Sequence, residues 1–190
     1  MTFVTIENLP SLFEKSTTAR AELFDAHHQA AVRLFNGFTE GCPALVADLY
    51  ATSIVLHNYA DHPEEGRPII EAALQFYQPR LPWIRSIVLK TRNGVTAQEK
   101  NGVLLFGAQA TSRIREHGVW YAIDLLMNRD SSLYLDTRNL RQWALQNLRG
   151  KTVLNTFAYT GSLGVAAHAG GAKRVMHLDL SRKFLNIAKT

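Results

Sequence analysis

The sequence predicts an α/β protein, a small mixed α+β domain followed by the first βαβα part of a parallel sheet. Three observations predict it. Two short apolar runs, ALVADLY and SIVLHNY, sit two residues apart and read as a hairpin over 44–59. A helical pattern follows over 67–77. From residue 151 onward, short apolar runs alternate with a glycine-containing loop and a small-residue helix, the texture of parallel strands covered by helices.

The elements follow in chain order. In ARAELFDAHHQAAVRLF, over 19–35, Leu23, Ala26, Ala30, Ala31 and Leu34 fall close to helical spacing, which predicts a helical lead-in. GFTEGCPA is a turn-rich loop, and His57 belongs to the second strand of the hairpin. The helix over 67–77 tolerates Pro68 in its first turn and is expected to end at Pro79 and Pro82. Further strands are expected in IRSIVLKT, GVLLFG, TSRIREH and VWYAIDL, the last two joined tightly through His117 and Gly118. DTRNLRQWALQNLRG places Leu140, Trp143, Ala144 and Leu148 on one helical face, with Asp136 as a cap, Gly150 as a stop and Trp143 as a core residue. Then come the strand KTVLNTF, the loop AYTGSLG, the helix SLGVAAHAGGA, the strand RVMHLDL and a helix beginning at SRKFLNIAKT. The organisation is therefore a helical lead-in over 1–26, a small α+β domain over 27–130, and the start of a βαβα unit over 131–190. Two parallel strands are too few to bury both faces of a sheet. Either the chain is a fragment of a longer protein, the favoured reading, or a partner such as a second copy in a homodimer completes the sheet.

Composition excludes several classes. With 46% hydrophobic and 19% charged residues the chain can bury a core, and no stretch approaches the ~20 consecutive apolar residues of a membrane helix. No membrane partner is expected. The first residues lack a basic start and an apolar run, so a cytoplasmic location is expected. The single cysteine, Cys42, cannot form an intramolecular disulfide, and the histidines show no ligand spacing, so no metal is assigned. The net charge of +5 is uneven. After residue 136, nine basic residues including Arg138, Arg141, Arg149, Lys173 and Arg174 face Asp179 alone, leaving +8. Such clustering favours an anionic partner, nucleic acid first.

The strand, glycine loop, helix, strand and acid are what a nucleoside cofactor needs. Gly161 lets the loop backbone approach a ligand, and Gly164 lets the helix pack close to the strand. The helix amino terminus offers N–H groups to a carboxylate or phosphate. Asp179 is placed to accept hydrogen bonds from two ribose hydroxyls. A dinucleotide G-x-G-x-x-G ending at Gly164 would need glycine where Tyr159 stands. A nicotinamide-dependent oxidoreductase is thereby disfavoured, a non-catalytic binding or assembly module stays open, and so does a purely structural turn with Asp179 capping the next helix.

The segment over 135–190 closely resembles the bacterial ribosomal-RNA large-subunit methyltransferase family. The family's "FLDQRxNxR" segment is matched by LDTRNLR at 135–141, and its "VLNxFAYTGxFxVxAxxGGAxxVxxVDxS" block by residues 153–181. More loosely, FTEGCPALVADLYATSIVLHNY looks like the family's "DGLPGLIVDRYGDxLVVQ" strand pair. The resemblance implies a Rossmann-like methyltransferase fold that binds S-adenosylmethionine and acts on a base of large-subunit ribosomal RNA. It implies that Asn155, Phe157, Ala158, Tyr159, Thr160, Gly161 and Gly164 belong to the cofactor pocket. Asp179 would hold the ribose, Leu180 and Ser181 would lie by the adenine, and Asp136 and Arg138 would close the methionine side. Thr137 stands where the family often has Gln, and the first 26 residues do not match the RNA-binding PUA domain of many members. The family's catalytic residues are expected beyond Thr190, and Cys42 has no counterpart among them.

Overall fold

The computed structural model describes residues 5–189; the first four residues of the expected lead-in, and Thr190, lie outside them. A first helix, α1 (Leu9–Ala19), precedes a five-stranded mixed sheet in the order β1 (Ala31–Asn36), β2 (Leu45–Tyr50), β3 (Ser53–Asn58), β4 (Ser86–Thr91) and β5 (Val103–Phe106). The short α2 (Gly37–Glu40) and α4 (Ala97–Asn101) lie in its connections, and α3 (Arg67–Arg80) crosses from β3 to β4. That crossover makes β3 and β4 the one parallel pair of this sheet, since parallel neighbours cannot be joined by a tight turn. The hairpin β6 (Arg113–Glu116) and β7 (Val119–Ala122) follows, turning through His117 and Gly118, both at positive φ. The chain then runs through a 3₁₀ turn (Leu135–Thr137) into α5 (Arg138–Asn147), the parallel pair β8 (Thr152–Thr156) and β9 (Arg174–Leu178) with α6 (Ser162–Ala169) between them, and α7 (Arg182–Ile187).

The five-stranded sheet is apolar on both faces and covered on both. Leu34, Leu45, Ile54, Leu56 and Ile87 meet Phe13 of α1 and Tyr77 of α3 on one side. On the other, Val55 and Val88 join a core that takes in Ile114 and Tyr121 of the hairpin, Leu133, Ala144 of α5 and Ala166 of α6. This second core is continuous from the small sheet to the β8–β9 unit. β8 and β9 are covered only on the α6 side: Val153 and Val175 face inward, while Leu154, Met176 and Leu178 are exposed.

Several sequence expectations are corrected. The helix over 19–35 is absent: α1 ends at Ala19, and residues 31–36 form a strand. Asp25 accepts hydrogen bonds from the backbone N–H groups of His27, Gln29 and Ala30, which turns the chain. Pairing with β2 then outweighs helical spacing, and a bulge between Arg33 and Phe35 lets Leu34 and Phe35 both be buried. α3 runs past Tyr77 and through Pro79 to Arg80, because a proline in the last turn removes one helical hydrogen bond and leaves the rest intact. In α5 the residue at the cap position is Thr137, not Asp136, which lies in the preceding 3₁₀ turn. Trp143 is 52% exposed, whereas Arg141 of the same helix is fully buried.

That inversion has a cause. The Arg141 guanidinium makes a bidentate pair with Glu116 at 2.7 and 2.8 Å and donates to the Tyr134 carbonyl and to Thr137 Oγ1, each at 2.7 Å. All but one of its donor directions are used, as a buried cation requires. The helix therefore turns Arg141 rather than Trp143 to the core. Arg141 accordingly contributes nothing to the surface charge counted from the sequence.

Candidate cofactor site

The site is built at the carboxyl ends of β8 and β9. The loop over 157–161 carries positive φ at Phe157, Tyr159 and Gly161. Left-handed backbone at two non-glycine residues in three is uncommon and costs about 1–3 kcal/mol per residue, so neighbouring contacts must hold it. They do. Ala158 N–H donates to the Leu178 carbonyl at 3.0 Å, Gly161 N–H to the Ala158 carbonyl at 2.7 Å, and Thr160 Oγ1 to the Ser132 carbonyl. The Tyr159 ring stands against Tyr134 at 5.0 Å and Phe184 at 4.7 Å, and its hydroxyl donates to Asn128 Oδ1 at 3.1 Å. Burial pushes that phenol's pKa up, so it stays a donor.

Asp179 closes the arrangement. Its Oδ2 accepts from Tyr159 N–H and its Oδ1 from Ser181 N–H, both at 2.8 Å. The N–H groups of Ser181 and Tyr159 hold its carboxyl below the usual carboxylate range, so it is ionised at neutral pH with lone pairs to spare. The cap of α7 is Ser181, whose hydroxyl accepts from Phe184 N–H, which frees Asp179 from the capping role left open by the sequence. Phe157, 91% exposed, and the fully exposed Leu180 are two solvated apolar side chains in the loop and beside the acid.

Both glycines have structural reasons. A Cβ on Gly164 would stand 2.2 Å from the His177 ring, and one on Gly161, at φ +80°, would stand 2.5 Å from Ala188. His177 in turn sits 3.2 Å from the side-chain amide of Asn155, so Asn155 works beneath α6 within the sheet. Burial draws the His177 pKa down.

Asp136 and Arg138 lie apart from this loop, in a groove against Ala31, Val32 and Arg33 of β1. Asp136 also lines a cleft of about 160 Å³ with Arg33, Asp48, His57 and Tyr134. Within it the buried Asp48 accepts a bidentate pair from Arg33 at 2.8 and 3.2 Å and lies 3.5 Å from His57 Nε2. Burial opposes ionisation of Asp48, but hydrogen bonds from His57 and Arg33 carry its pKa below the usual range. Tyr134 joins cleft and loop, packing on Tyr159 while donating to Asp130 at 3.1 Å. Tyr134, Asn128 and Ser132 were not legible as site residues; the one signal was Tyr134's place beside the LDTRNLR segment.

The basic residues after residue 136 do not gather here. Arg149, Lys151, Lys173 and Arg174 flank the amino-terminal ends of β8 and β9, opposite the loop, and Lys183 donates to the Met127 carbonyl at 2.8 Å.

Comparison with known proteins identifies the family. A family model described as S-adenosylmethionine-dependent methyltransferase matches residues 84–190. The ribosomal RNA large subunit methyltransferase I of Aeromonas hydrophila is 34% identical over 160 residues, 83% of this chain and 40% of that protein. The protein of the same name from Vibrio vulnificus is 32% identical over 90% of this chain and 43% of its own length. Among solved structures, a protein from Streptococcus mutans assigned as a SAM-dependent methyltransferase has a TM-score of 0.83 at 25% identity, covering 100% of this chain and 49% of that one. A methyltransferase complexed with SAH has a TM-score of 0.83 at 26% identity, covering 100% of this chain and 48% of that one. The chain thus spans under half the length of these relatives.

Proposed function

The chain belongs to the S-adenosylmethionine-dependent methyltransferase family, and from that membership we propose that it serves methyl transfer to a base of large-subunit ribosomal RNA, in the cytoplasm. The observation that carries the cofactor half of this reading is the ionised Asp179, fixed by two N–H donors at the carboxyl end of β9, beside the amino terminus of α6. The names of the Aeromonas and Vibrio relatives support the substrate half.

The residues present fit the cofactor. S-adenosylmethionine, when bound, supplies a methyl group on a positively charged sulfonium. Asp179 accepts from the two ribose hydroxyls, while Leu180, Ser181 and Phe157 flank the adenine. The first turn of α6 has N–H groups without helical partners, and these meet the methionine carboxylate. Gly161 and Gly164 keep that turn close to β9, Ala158 and Thr160 lock the loop to the sheet and to Ser132, and Asn155 supports it from below through His177. The work of the chain is positioning, so that the transferred group meets the acceptor in line.

The test is a thermal-shift comparison of S-adenosylhomocysteine with NAD. The proposal expects a rise in melting temperature with the first and none with the second; equal shifts would count against it.

A further inference from the structure

A second group of residues meets at the carboxyl ends of the other parallel pair, β3 and β4. The chain leaves these strands into Tyr59 and Arg92. The Arg92 guanidinium lies 5.6 Å from the centre of the Tyr59 ring, which itself stacks on His57 at 5.9 Å. A guanidinium held over an aromatic face is pre-oriented for a bidentate anion.

Beside them Lys90 is buried, and its ammonium donates to three carbonyls: those of Asn101, of Asn128 at 2.6 Å and of Asp130 at 3.3 Å. One cation thereby ties together two remote segments, and their neighbours Lys100 and Arg129 are brought to one rim. Arg92, Lys100 and Arg129 line a single cavity of about 40 Å³ with His57, Tyr59 and Asp130. The cavity has room for roughly three water-sized groups, the scale of a phosphate's oxygens. Among the described residues none of these three cations is in an ion pair, and the three stand against the single acid Asp130 in the lining.

We propose that this cavity is a clamp for one backbone phosphate of an RNA strand, held at a fixed offset from the cofactor loop. The inference rests on the RNA-methyltransferase reading above. The offset is built by residues 127–134, which serve both places. The Asn128 carbonyl takes Lys90 while its side chain takes the Tyr159 hydroxyl. The Met127 carbonyl takes Lys183 of α7, and Tyr134 packs on Tyr159. The clamp cavity shares His57, Tyr59 and Asp130 with the 160 Å³ cleft, which leads on to Tyr134 and Asp136. A strand anchored by its phosphate at Arg92 therefore has a lined path toward the cofactor loop.

The test is fluorescence anisotropy of a short fluorescein-labelled single-stranded RNA against the 190-residue chain at several KCl concentrations. The clamp predicts that Arg92→Ala combined with Arg129→Ala raises Kd about tenfold or more and lowers the salt slope by about 0.7, the share of one phosphate on a single strand. Lys173→Ala combined with Arg174→Ala removes the same charge at the far end of β9 and should change Kd less than about twofold. Equal losses in the two double variants, a larger loss in the second, or no RNA binding by the parent chain would overturn the clamp. Thermal shift with S-adenosylhomocysteine on the same proteins separates the two claims. A retained cofactor shift beside RNA binding indifferent to Arg92 and Arg129 overturns the clamp alone, whereas absence of the shift in the parent chain defeats the cofactor reading.

Discussion

The molecule contains two strand–helix–strand units with parallel strands, β3–α3–β4 and β8–α6–β9, and they differ in what covers them and in what their strand ends carry. In the first, both faces are buried and the strands read as continuous apolar runs. In the second, only the α6 face is covered, and inward and outward residues alternate. Each turns its chemistry to the carboxyl ends of its parallel strands, where chain reversal leaves backbone groups and loops free to meet a ligand. The first ends in Tyr59 and Arg92 and gathers cations. The second ends in the 157–161 loop and Asp179 and gathers N–H donors and one acid. The same topology thus supplies a place for an anion in one unit and for a nucleoside in the other, the difference lying in a few residues past each strand.

The largest expected effect breaks the join between the units. Glu116→Ala leaves the buried Arg141 unpaired and loosens its hold on the Tyr134 carbonyl, so urea denaturation should show a loss of about 3–5 kcal/mol. A loss under about 1 kcal/mol would mean that water reaches Arg141. Next, each unit has one glycine whose Cβ would collide with a polar side chain at 2.2 Å: Gly164 with His177, Gly66 with Asn58. Gly164→Ala and Gly66→Ala should each destabilise by about 1–3 kcal/mol. Only the first should weaken S-adenosylhomocysteine binding, by about tenfold in calorimetry, and a similar loss from Gly66→Ala would erase the distinction between the units.

A smaller, pH-dependent effect belongs to the first unit. Burial lowers the Lys90 pKa from 10.5 to about 8, with Asp130 and Asp124 opposing the shift. Between those values the unfolded chain holds a proton that the folded chain has lost, so raising pH through this window stabilises the fold. RNA affinity moves the other way, because a neutral Lys90 no longer contributes positive charge to the cavity it lines. Anisotropy should show weaker binding as pH rises from 7 to 9, and Lys90→Met should flatten that profile; an unchanged profile in the variant would assign the effect elsewhere. The smallest effect concerns Trp143: half-exposed on α5, its change to Ala should cost under about 0.5 kcal/mol, against the roughly 3–5 kcal/mol of a core aromatic.

The second unit was legible in the sequence because its contacts are local. Its strand, loop, helix and acid lie within thirty residues of one another, and the spacing from Gly161 to Asp179 is dictated by one crossover. The hairpin β2–β3 and the tight β6–β7 turn were legible for the same reason. The first unit's clamp was not. Lys90, Lys100 and Arg129 are separated along the chain, and a lysine within SIVLKT gives no sign that it will be buried with three carbonyls on its ammonium. Charge counting pointed instead to the carboxyl-terminal segment, where Arg141 proves to be internal and four further cations lie at the wrong end of the strands. The segment 19–35 failed for a different reason, since a 3.6-residue spacing of small apolar residues cannot register that Asp25 will capture three N–H groups and turn the chain.

The central claim is that Asp179 reads a ribose at the end of β9. Isothermal titration of S-adenosylhomocysteine into the parent chain and into Asp179→Asn tests it most directly. The claim predicts measurable binding by the parent and a loss of at least about tenfold in the variant, about 1.4 kcal/mol, at a temperature where both unliganded proteins are folded. Equal affinity in the two proteins would contradict it.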